Sequence, residues 1–557
     1  MKSILRTIVA ATLLPLAVGT YGAIRSPKSD VARKLGIFNA LVKELQMNYV
    51  DTINVEKAIN TAINAMLAEL DPYTEYMPLK EQEDFKSLTT GEYGGIGSYI
   101  RYIPKKGTII AGPEEGSPAD KAGLRTGDLI IRIDTTDVRG WSDSRVRSML
   151  QGVPGTPLSI TVDRPFVGSD SIRSFDLVRA KIQMPSVPYY GRLKDSPEIG
   201  YVSITSFTDK TAGEVKEALE SLKGGGDLKG VVLDLRGNGG GLLDAAVATV
   251  GYFVPRGTEV VRTRGRGVMD EKVYKTTVSP ILPDTPLAIL VDGGTASSSE
   301  ITSGALQDLD RAVILGSRSF GKGLVQATRQ LPYDGLLKLT IAKYYIPSGR
   351  LVQAIDYSHR NADGSVQRRP DSLTNVFHTR AGREVRDGGG IMPDSTVEYP
   401  EVSRLTYNVV RDDWAFNYAN RYAAEHPSIA PPAEFVITDS IYEDFKASID
   451  PDKFQYDRVC ETILGQLREA ARLEGYMNDS VAAEFDRLGT MMRHSLDRDL
   501  DTHRADIEPY LAREIVGRYY YNRGEIVNSL PTDPGVTKAA AILLDPETYR
   551  RILSPEK

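Results

Sequence analysis

Ala288-Ile289-Leu290-Val291-Asp292-Gly293-Gly294-Thr295-Ala296-Ser297-Ser298-Ser299-Glu300 is the stretch around which this chain is organised. Ala288 to Val291 is an apolar run of buried-strand length, and Ile301 to Asp308 continues as a helix. Between them lies a strand-to-helix turn of small residues carrying three serines, a place where a hydrolase sets a nucleophile. A plainer role fits equally well. Ser297 followed three residues later by Glu300 has the spacing of a capping box, which starts many helices for stability alone. On this stretch by itself the two readings have equal weight.

Outward from the turn, residues 198 to 345 alternate between strand and helix. Ile199 to Ile204 reads as a strand. Thr211 to Lys223 reads as a helix with Val215, Ala218, Leu219 and Leu222 on one face, stopped by Gly224-Gly225-Gly226. Gly230 to Arg236 is a buried strand that runs into Gly237-Asn238-Gly239-Gly240-Gly241, with a helix from Leu242. Ala312 to Leu315 supplies another strand. Such alternation predicts a mostly parallel sheet with its chemistry at the C-terminal ends of the strands.

Between Tyr93 and about Arg179 the pattern shortens to strands and glycine turns. Gly94-Gly95-Ile96-Gly97-Ser98-Tyr99-Ile100 opens a strand and Thr108 to Ala111 supplies a second. Gly116-Ser117-Pro118-Ala119, Ala122-Gly123-Leu124 and Gly127-Asp128-Leu129-Ile130 follow, then a short helix from Ser142 to Gln151 and a strand at Leu158 to Val162. Together these resemble a PDZ domain of the bacterial protease type. A glycine loop before a free strand edge offers backbone N–H groups to a peptide's terminal carboxylate, and the edge accepts the peptide as an added strand. On that resemblance Gly95, Ile96 and Gly97 form the carboxylate loop. The alternative is a closed β-unit in which the glycines only make turns.

Residues 31 to 86 read as helical, with Leu35, Phe38, Leu41, Val42, Leu45 and Tyr49 at helical spacing; a packed cap is expected, with a dimerisation arm as the alternative. After Pro347-Ser348-Gly349-Arg350 a polar stretch to about Val385 reads as a surface insertion. Residues 400 to 557 are charged, amphipathic helices without a catalytic constellation, expected to support packing.

Composition narrows the classes. A chain of 557 residues with 25% charged and 41% hydrophobic residues is an ordinary globular protein with room for several domains. Its net charge of −6 leaves no basic footprint for nucleic acid. One cysteine, Cys460, excludes an internal disulfide and any cysteine-based metal cluster. The five histidines (His359, His378, His426, His494, His503) all follow the α/β segment, so neither a metal site nor a cofactor is expected. Lys2 and Arg6, then the apolar run Ile8 to Val18, then Gly19, Gly22 and Ala23 have the order of a secretory signal. Cleavage after Ala17-Val18-Gly19 or after Ala23, or retention of Thr7 to Ile24 as an anchor, are all compatible with that order.

The serine turn lacks Gly-x-Ser-x-Gly, and no histidine is near it in sequence. A chymotrypsin-like order is excluded because no histidine lies in residues 1 to 358. A lysine held neutral by burial is the other general base available. Lys322, in Ser319-Phe320-Gly321-Lys322-Gly323-Leu324-Val325-Gln326, is the candidate. Gly316 to Lys322 also matches the first seven positions of a phosphate loop, but Gly323 stands where the magnesium-binding hydroxyl belongs. Leu324 to Thr328 reads as a strand, not the helix that would face the phosphates.

Gly294-Thr295-Ala296-Ser297, Ser299-Glu300-Ile301 and Phe320-Gly321-Lys322-Gly323 resemble the carboxy-terminal processing peptidases, or tail-specific proteases. So do Leu70-Asp71-Pro72-Tyr73-Thr74, Asp234-Leu235-Arg236 with Asn238, Pro347 to Arg350, and Gly390-Ile391-Met392-Pro393-Asp394. The resemblance spans about 31 to 397 and implies an α+β multidomain protein with a crotonase-like or ClpP-like α/β protease core. With the leader (1–24) and the helical region (398–557) read from the residues themselves, it divides the chain into N-terminal helices (31–86), a PDZ domain (87–182) and the peptidase core (183–397). It selects Ser297 as nucleophile, Lys322 as general base and Gln326 as the residue orienting the lysine. The oxyanion donors would be the N–H of Ser298 and that of Gly240 or Gly241. Ser298 stands where the family more often has alanine. The implied protein is an exported bacterial serine endopeptidase of the periplasm or cell envelope. It would act on protein or peptide substrates with free C-terminal tails, with homo-oligomerisation through the N-terminal helices and an adaptor protein as further partners. A non-catalytic PDZ scaffold on the same fold is the alternative.

Overall fold

A computed structural model describes residues 27–554 apart from 169–170, 268–270, 358 and 362–364. The leader expected in residues 1–24 lies outside the described residues. The rest separates into two compact units, one ending at Tyr76 and one beginning at Met77.

The first unit is built on helices Pro27–Asn48 and Val55–Ala68, the second started by Asn54, whose side chain accepts from the Lys57 N–H at 2.9 Å. The expected apolar stripe is present on the first helix. Leu35, Phe38, Leu41 and Leu45 all remain exposed. Helical periodicity places side chains on one face without saying what covers that face. Among the described residues no helix is long and apolar enough to cross a membrane.

In the second unit, the segment read as a PDZ domain forms an antiparallel sheet in the order Ser98–Ile103, Gly107–Pro113, Leu129–Ile133, Pro157–Asp163, Ile172–Val178. Ser98–Ile103 is one of the two edge strands. Val146 and Leu150 of helix Asp143–Leu150 join a core of Ile96, Ile110, Ile130, Ile133, Ile160 and Val162. The motifs have local causes. Ser117 caps helix Pro118–Ala122, accepting from the Asp120 N–H, and Gly123 ends it in the left-handed region. Asp128 is fully buried because Arg164 meets both its oxygens at 2.7 Å. Strands Glu92–Gly95 and Ala180–Gln183 pair antiparallel where the chain enters and leaves.

The core sheet has the order Tyr189–Leu193, Ser196–Ser203, Gly230–Asp234, Leu287–Val291, Val313–Gly316, Ser395–Thr396, parallel after its first pair. Alternation along each strand divides the buried side chains between two faces. Val231, Leu233, Ile289, Val291 and Ile314 meet Val215 and Leu219, Ala246 and Val250, and Ile301 and Ala305, from the three helices of the α/β segment. Val232, Ala288, Leu290, Val313 and Leu315 meet Val536, Ala539, Ala540 and Leu543 of helix Pro534–Leu544. One face of the sheet is therefore covered by the far C-terminal region. The remainder of that region packs its own helical core around Val409, Tyr442, Phe445, Ile507, Leu511 and Ile515. The molecule is an α+β multidomain fold.

Candidate active site

Both loops singled out by their small residues sit at C-terminal ends of neighbouring strands, Asp234 and Val291. Asn238 joins them. Its Nδ2 donates to the Ile204 carbonyl at 2.8 Å, its Oδ1 accepts from the Gly240 N–H at 2.9 Å, and its own carbonyl accepts from the Ala296 N–H and the Ser299 hydroxyl. Thr295 adds a bond from its hydroxyl to the Leu235 carbonyl at 2.8 Å. The glycine loop thus lies against the serine turn. A side chain at Gly240 would come within 2.7 Å of the Ser297 Cβ and the Ala296 carbonyl and 2.9 Å of the Ser298 nitrogen, and its φ of +97° also demands glycine.

Ser297 is half-buried and starts helix Ser298–Asp308 with φ 56° and ψ −115°. Such backbone angles cost a non-glycine residue about 1–3 kcal/mol and persist only where the surroundings fix them. What fixes them is visible. The Ser297 N–H donates to Glu300 Oε2 at 2.9 Å, so the carboxylate half of the capping box forms. Glu300 is completely buried and also accepts from the Ser319 hydroxyl at 2.6 Å and from the N–H groups of Gly321 and Lys322, each at 2.8 Å. Burial pushes its acidity up to about 7, against the pull of these donors, which favour the charged form. One carboxylate therefore ties the serine turn to the lysine loop.

Lys322 is half-buried and precedes strand Leu324–Gln330, as expected in place of a phosphate-loop helix. Gln326 lies on that strand and its amide donates to the Thr340 hydroxyl at 3.2 Å. Ser298 is 1% exposed, and its hydroxyl donates to the Gly241 carbonyl at 2.8 Å, a tether that alanine could not make. Gly240 commits its N–H to Asn238, as above. Gly95, Ile96 and Gly97 come just before edge strand Ser98–Ile103. Ile96 fills the local core, and the carbonyls of Ile96 and Gly97 accept from the Ala119 and Glu114 N–H groups. Among the described residues no group of histidine, cysteine and carboxylate side chains is arranged to hold a metal ion.

Residue-level reading missed Glu300 beyond its capping role and the bridging role of Asn238, which it had only as a motif residue, and missed Tyr344 altogether. Tyr344 is 1% exposed, and its hydroxyl reaches the carbonyls of Ser297, at 3.1 Å, and Lys322. A polar pair in a strand, Tyr344-Tyr345, carries no sequence signal for such a contact. Glu300 did carry one, because a glutamate inside an apolar helix beginning at a glycine-rich turn needs donors to be buried at all.

The Arg236 side chain anchors the glycine loop from behind. Its Nε meets Asp234 at 2.9 Å and its Nη1 meets Asp533 at 2.8 Å, while Tyr201 donates to Asp234 at 2.8 Å.

Three segments match family models: residues 198–358 match Peptidase family S41, residues 109–164 a PDZ domain, and residues 405–543 the C-terminal helical domain of probable PDZ-proteases. A carboxy-terminal-processing protease of Bartonella bacilliformis is 37% identical over 332 residues, covering 59% of this chain and 74% of the relative. A probable CtpA-like serine protease of Staphylococcus aureus is 30% identical over 470 residues, covering 83% and 82%. Among solved structures, a photosystem II D1 C-terminal processing protease is 27% identical, with a TM-score of 0.35 over 65% of this chain and 87% of that one. The chain belongs to the S41 carboxy-terminal-processing proteases, serine-type peptidases that carry a PDZ domain.

Proposed function

We propose that the chain hydrolyses peptide bonds with a Ser297/Lys322 dyad through an acyl-enzyme. The observation that carries this reading is the shared Glu300 carboxylate, which binds the backbone N–H of both residues within 2.9 Å. Neutral Lys322 takes the Ser297 proton as the hydroxyl attacks the peptide carbonyl, then gives it to the leaving amine. Water releases the acyl group with the same lysine as base. Gln326, four residues after Lys322 and on the strand that follows it, orients the lysine.

The oxyanion is received by the Ser298 N–H, which begins a helix and has no helical carbonyl to bond. The second donor is Gly241 rather than Gly240, whose N–H is committed to Asn238. Loss of one such donor costs about 2.7–4 kcal/mol of transition-state stabilisation. The substrate's C-terminal tail is captured along the edge strand Ser98–Ile103 beside helix Asp143–Leu150, with Gly95, Ile96 and Gly97 receiving the carboxylate. The exposed stripe on Pro27–Asn48 supports pairing of two chains, and the leader supports export to the bacterial cell envelope.

A fluorophosphonate probe tests the chemistry directly. Mass spectrometry of the labelled protein is expected to place the adduct on Ser297. An adduct elsewhere, or none at a probe concentration that labels other serine peptidases, overturns the dyad.

A further inference from the structure

Two buried side chains outside the proposed chemistry each grip both members of the dyad by the backbone. Glu300 works from the N–H side, with Oε2 accepting from Ser297 at 2.9 Å and from Lys322 at 2.8 Å. Tyr344 works from the carbonyl side, its hydroxyl 3.1 Å from the Ser297 oxygen and in a short contact with the Lys322 oxygen. The peptide groups before and after Ser297 are thus both held, and so are those before and after Lys322. Tyr344 sits on strand Leu336–Tyr345, and its own N–H donates to the Gly323 carbonyl at 3.0 Å, so its ring is referenced to the same lysine loop.

We propose that Glu300 and Tyr344 are positioning residues that together set the spacing between the serine turn and the lysine loop. The inference rests on the dyad reading and adds to it. Neither side chain is suited to act as base or acid toward the substrate. Glu300 is enclosed by four donors, the N–H groups of Ser297, Gly321 and Lys322 and the Ser319 hydroxyl, which occupy its lone pairs. The Ser319 hydroxyl is itself fixed from the far side by the Ile391 N–H at 2.6 Å. Tyr344 has one proton to share between two carbonyls, and burial removes it from solvent.

The need for such a clamp follows from the strained backbone of Ser297. A residue in that region relaxes unless both flanking peptide groups are restrained. Relaxation would move the hydroxyl, and a displacement on the order of 1 Å can cost a hundredfold in rate. The clamp also explains a buried, part-neutral carboxylate in a helix that alanine or leucine could fill. Its position is dictated by where the N–H groups of Ser297 and Lys322 must meet.

The test uses the whole protein and fluorescently labelled casein as an unfolded substrate. Tyr344→Phe keeps the ring and removes only the hydroxyl. It is expected to lower kcat ten- to a hundredfold with KM changed less than threefold, and to slow fluorophosphonate labelling of Ser297 by the same factor. Glu300→Gln, which can offer one acceptor oxygen instead of two, is expected to lower both by a hundredfold or more. Glu300→Asp, too short to span both loops, is expected not to restore them. Ser297→Ala and Lys322→Ala are measured alongside. If either of these keeps activity, the dyad reading fails. If both abolish activity while Tyr344→Phe retains wild-type kcat and labelling rate, the clamp is wrong and the dyad stands. If the loss in Tyr344→Phe matches a loss of folded protein by thermal denaturation, its role is structural only and the proposal is likewise overturned. Should Glu300→Gln not fold, Tyr344→Phe decides the matter alone.

Discussion

The Tyr521 hydroxyl donates to Asp120 Oδ1 at 2.7 Å, and Tyr521 is also the residue at which helix Arg504–Ser529 breaks, with φ 54° and ψ −165°. A strained position in the helical region thus reaches the PDZ domain. Asp413, also at positive φ, does the same through its ion pair to Arg101 at 2.6 Å. Burial and the Asp120 charge push the Tyr521 hydroxyl up to about 12, so it remains a donor through the neutral range. Tyr521→Phe is expected to cost on the order of 1–2 kcal/mol of contact energy between the domains. Hydrogen exchange should quicken in residues 116–124 while the helical core around Tyr442 and Ile507 keeps its protection; equal exchange in both proteins would mean that this bond does not hold the PDZ domain.

As the proposed base, Lys322 has to be neutral to take the Ser297 proton. Ser297→Ala and Lys322→Ala are each expected to lower casein cleavage by a thousandfold or more with unchanged thermal midpoints. Lys322→Arg should be as inactive as the alanine variant, since a guanidinium does not give up its proton. Recovery of activity by arginine would place the base elsewhere.

Glu300 makes stability depend on pH in a stated direction. Its folded acidity lies at about 7, above the ordinary 4.5, so the folded chain holds this proton more tightly than the unfolded chain. The resulting stabilisation is full below about pH 4.5 and is lost as pH rises through 7, amounting to about 3 kcal/mol. Glu300→Gln carries no such charge. The gap in thermal midpoint between wild type and this variant should therefore move in the variant's favour from pH 5 to pH 8.5. A gap that stays constant would show that the carboxylate titrates normally.

Within the PDZ domain, Arg164→Ala leaves the Asp128 charge buried without its main partner. Removing one member of such a pair costs about 3–5 kcal/mol. The domain is expected to unfold locally and lose binding of tail peptides, measured by fluorescence anisotropy, while the fluorophosphonate still labels Ser297. Loss of labelling as well would show that the peptidase core depends on a folded PDZ domain.

Ser298 marks a limit of reading by resemblance. Serine in place of alanine reads as a neutral exchange, yet its hydroxyl tethers the start of helix Ser298–Asp308 to the Gly241 carbonyl. The strand–turn–helix around Ser297, the alternating core and the PDZ turns were legible because each is set by local periodicity, capping or a turn residue. Glu300, Asn238 and Tyr344 act between segments far apart in sequence, and their partners are mostly backbone groups, which leave no mark in the side-chain pattern. The second face of the core sheet was hidden for a related reason. An amphipathic helix such as Pro534–Leu544 shows that it must pack, but not on which surface. Gly230 gives a local hint, since a side chain there would come within 2.9 Å of the Leu543 Cβ.

Arg236 binds Asp533, and Asp533 in turn caps the helix that closes that face, accepting from the N–H groups of Gly535 and Val536. The glycine loop beside the serine turn is therefore braced by residues that come long after Ser297 and Lys322 in the chain. A protein made from its N-terminus onward cannot assemble this brace until that distant helix has emerged. The order of synthesis thus acts as a timer: a nascent chain carries the Ser297 turn well before it has the scaffold that braces it.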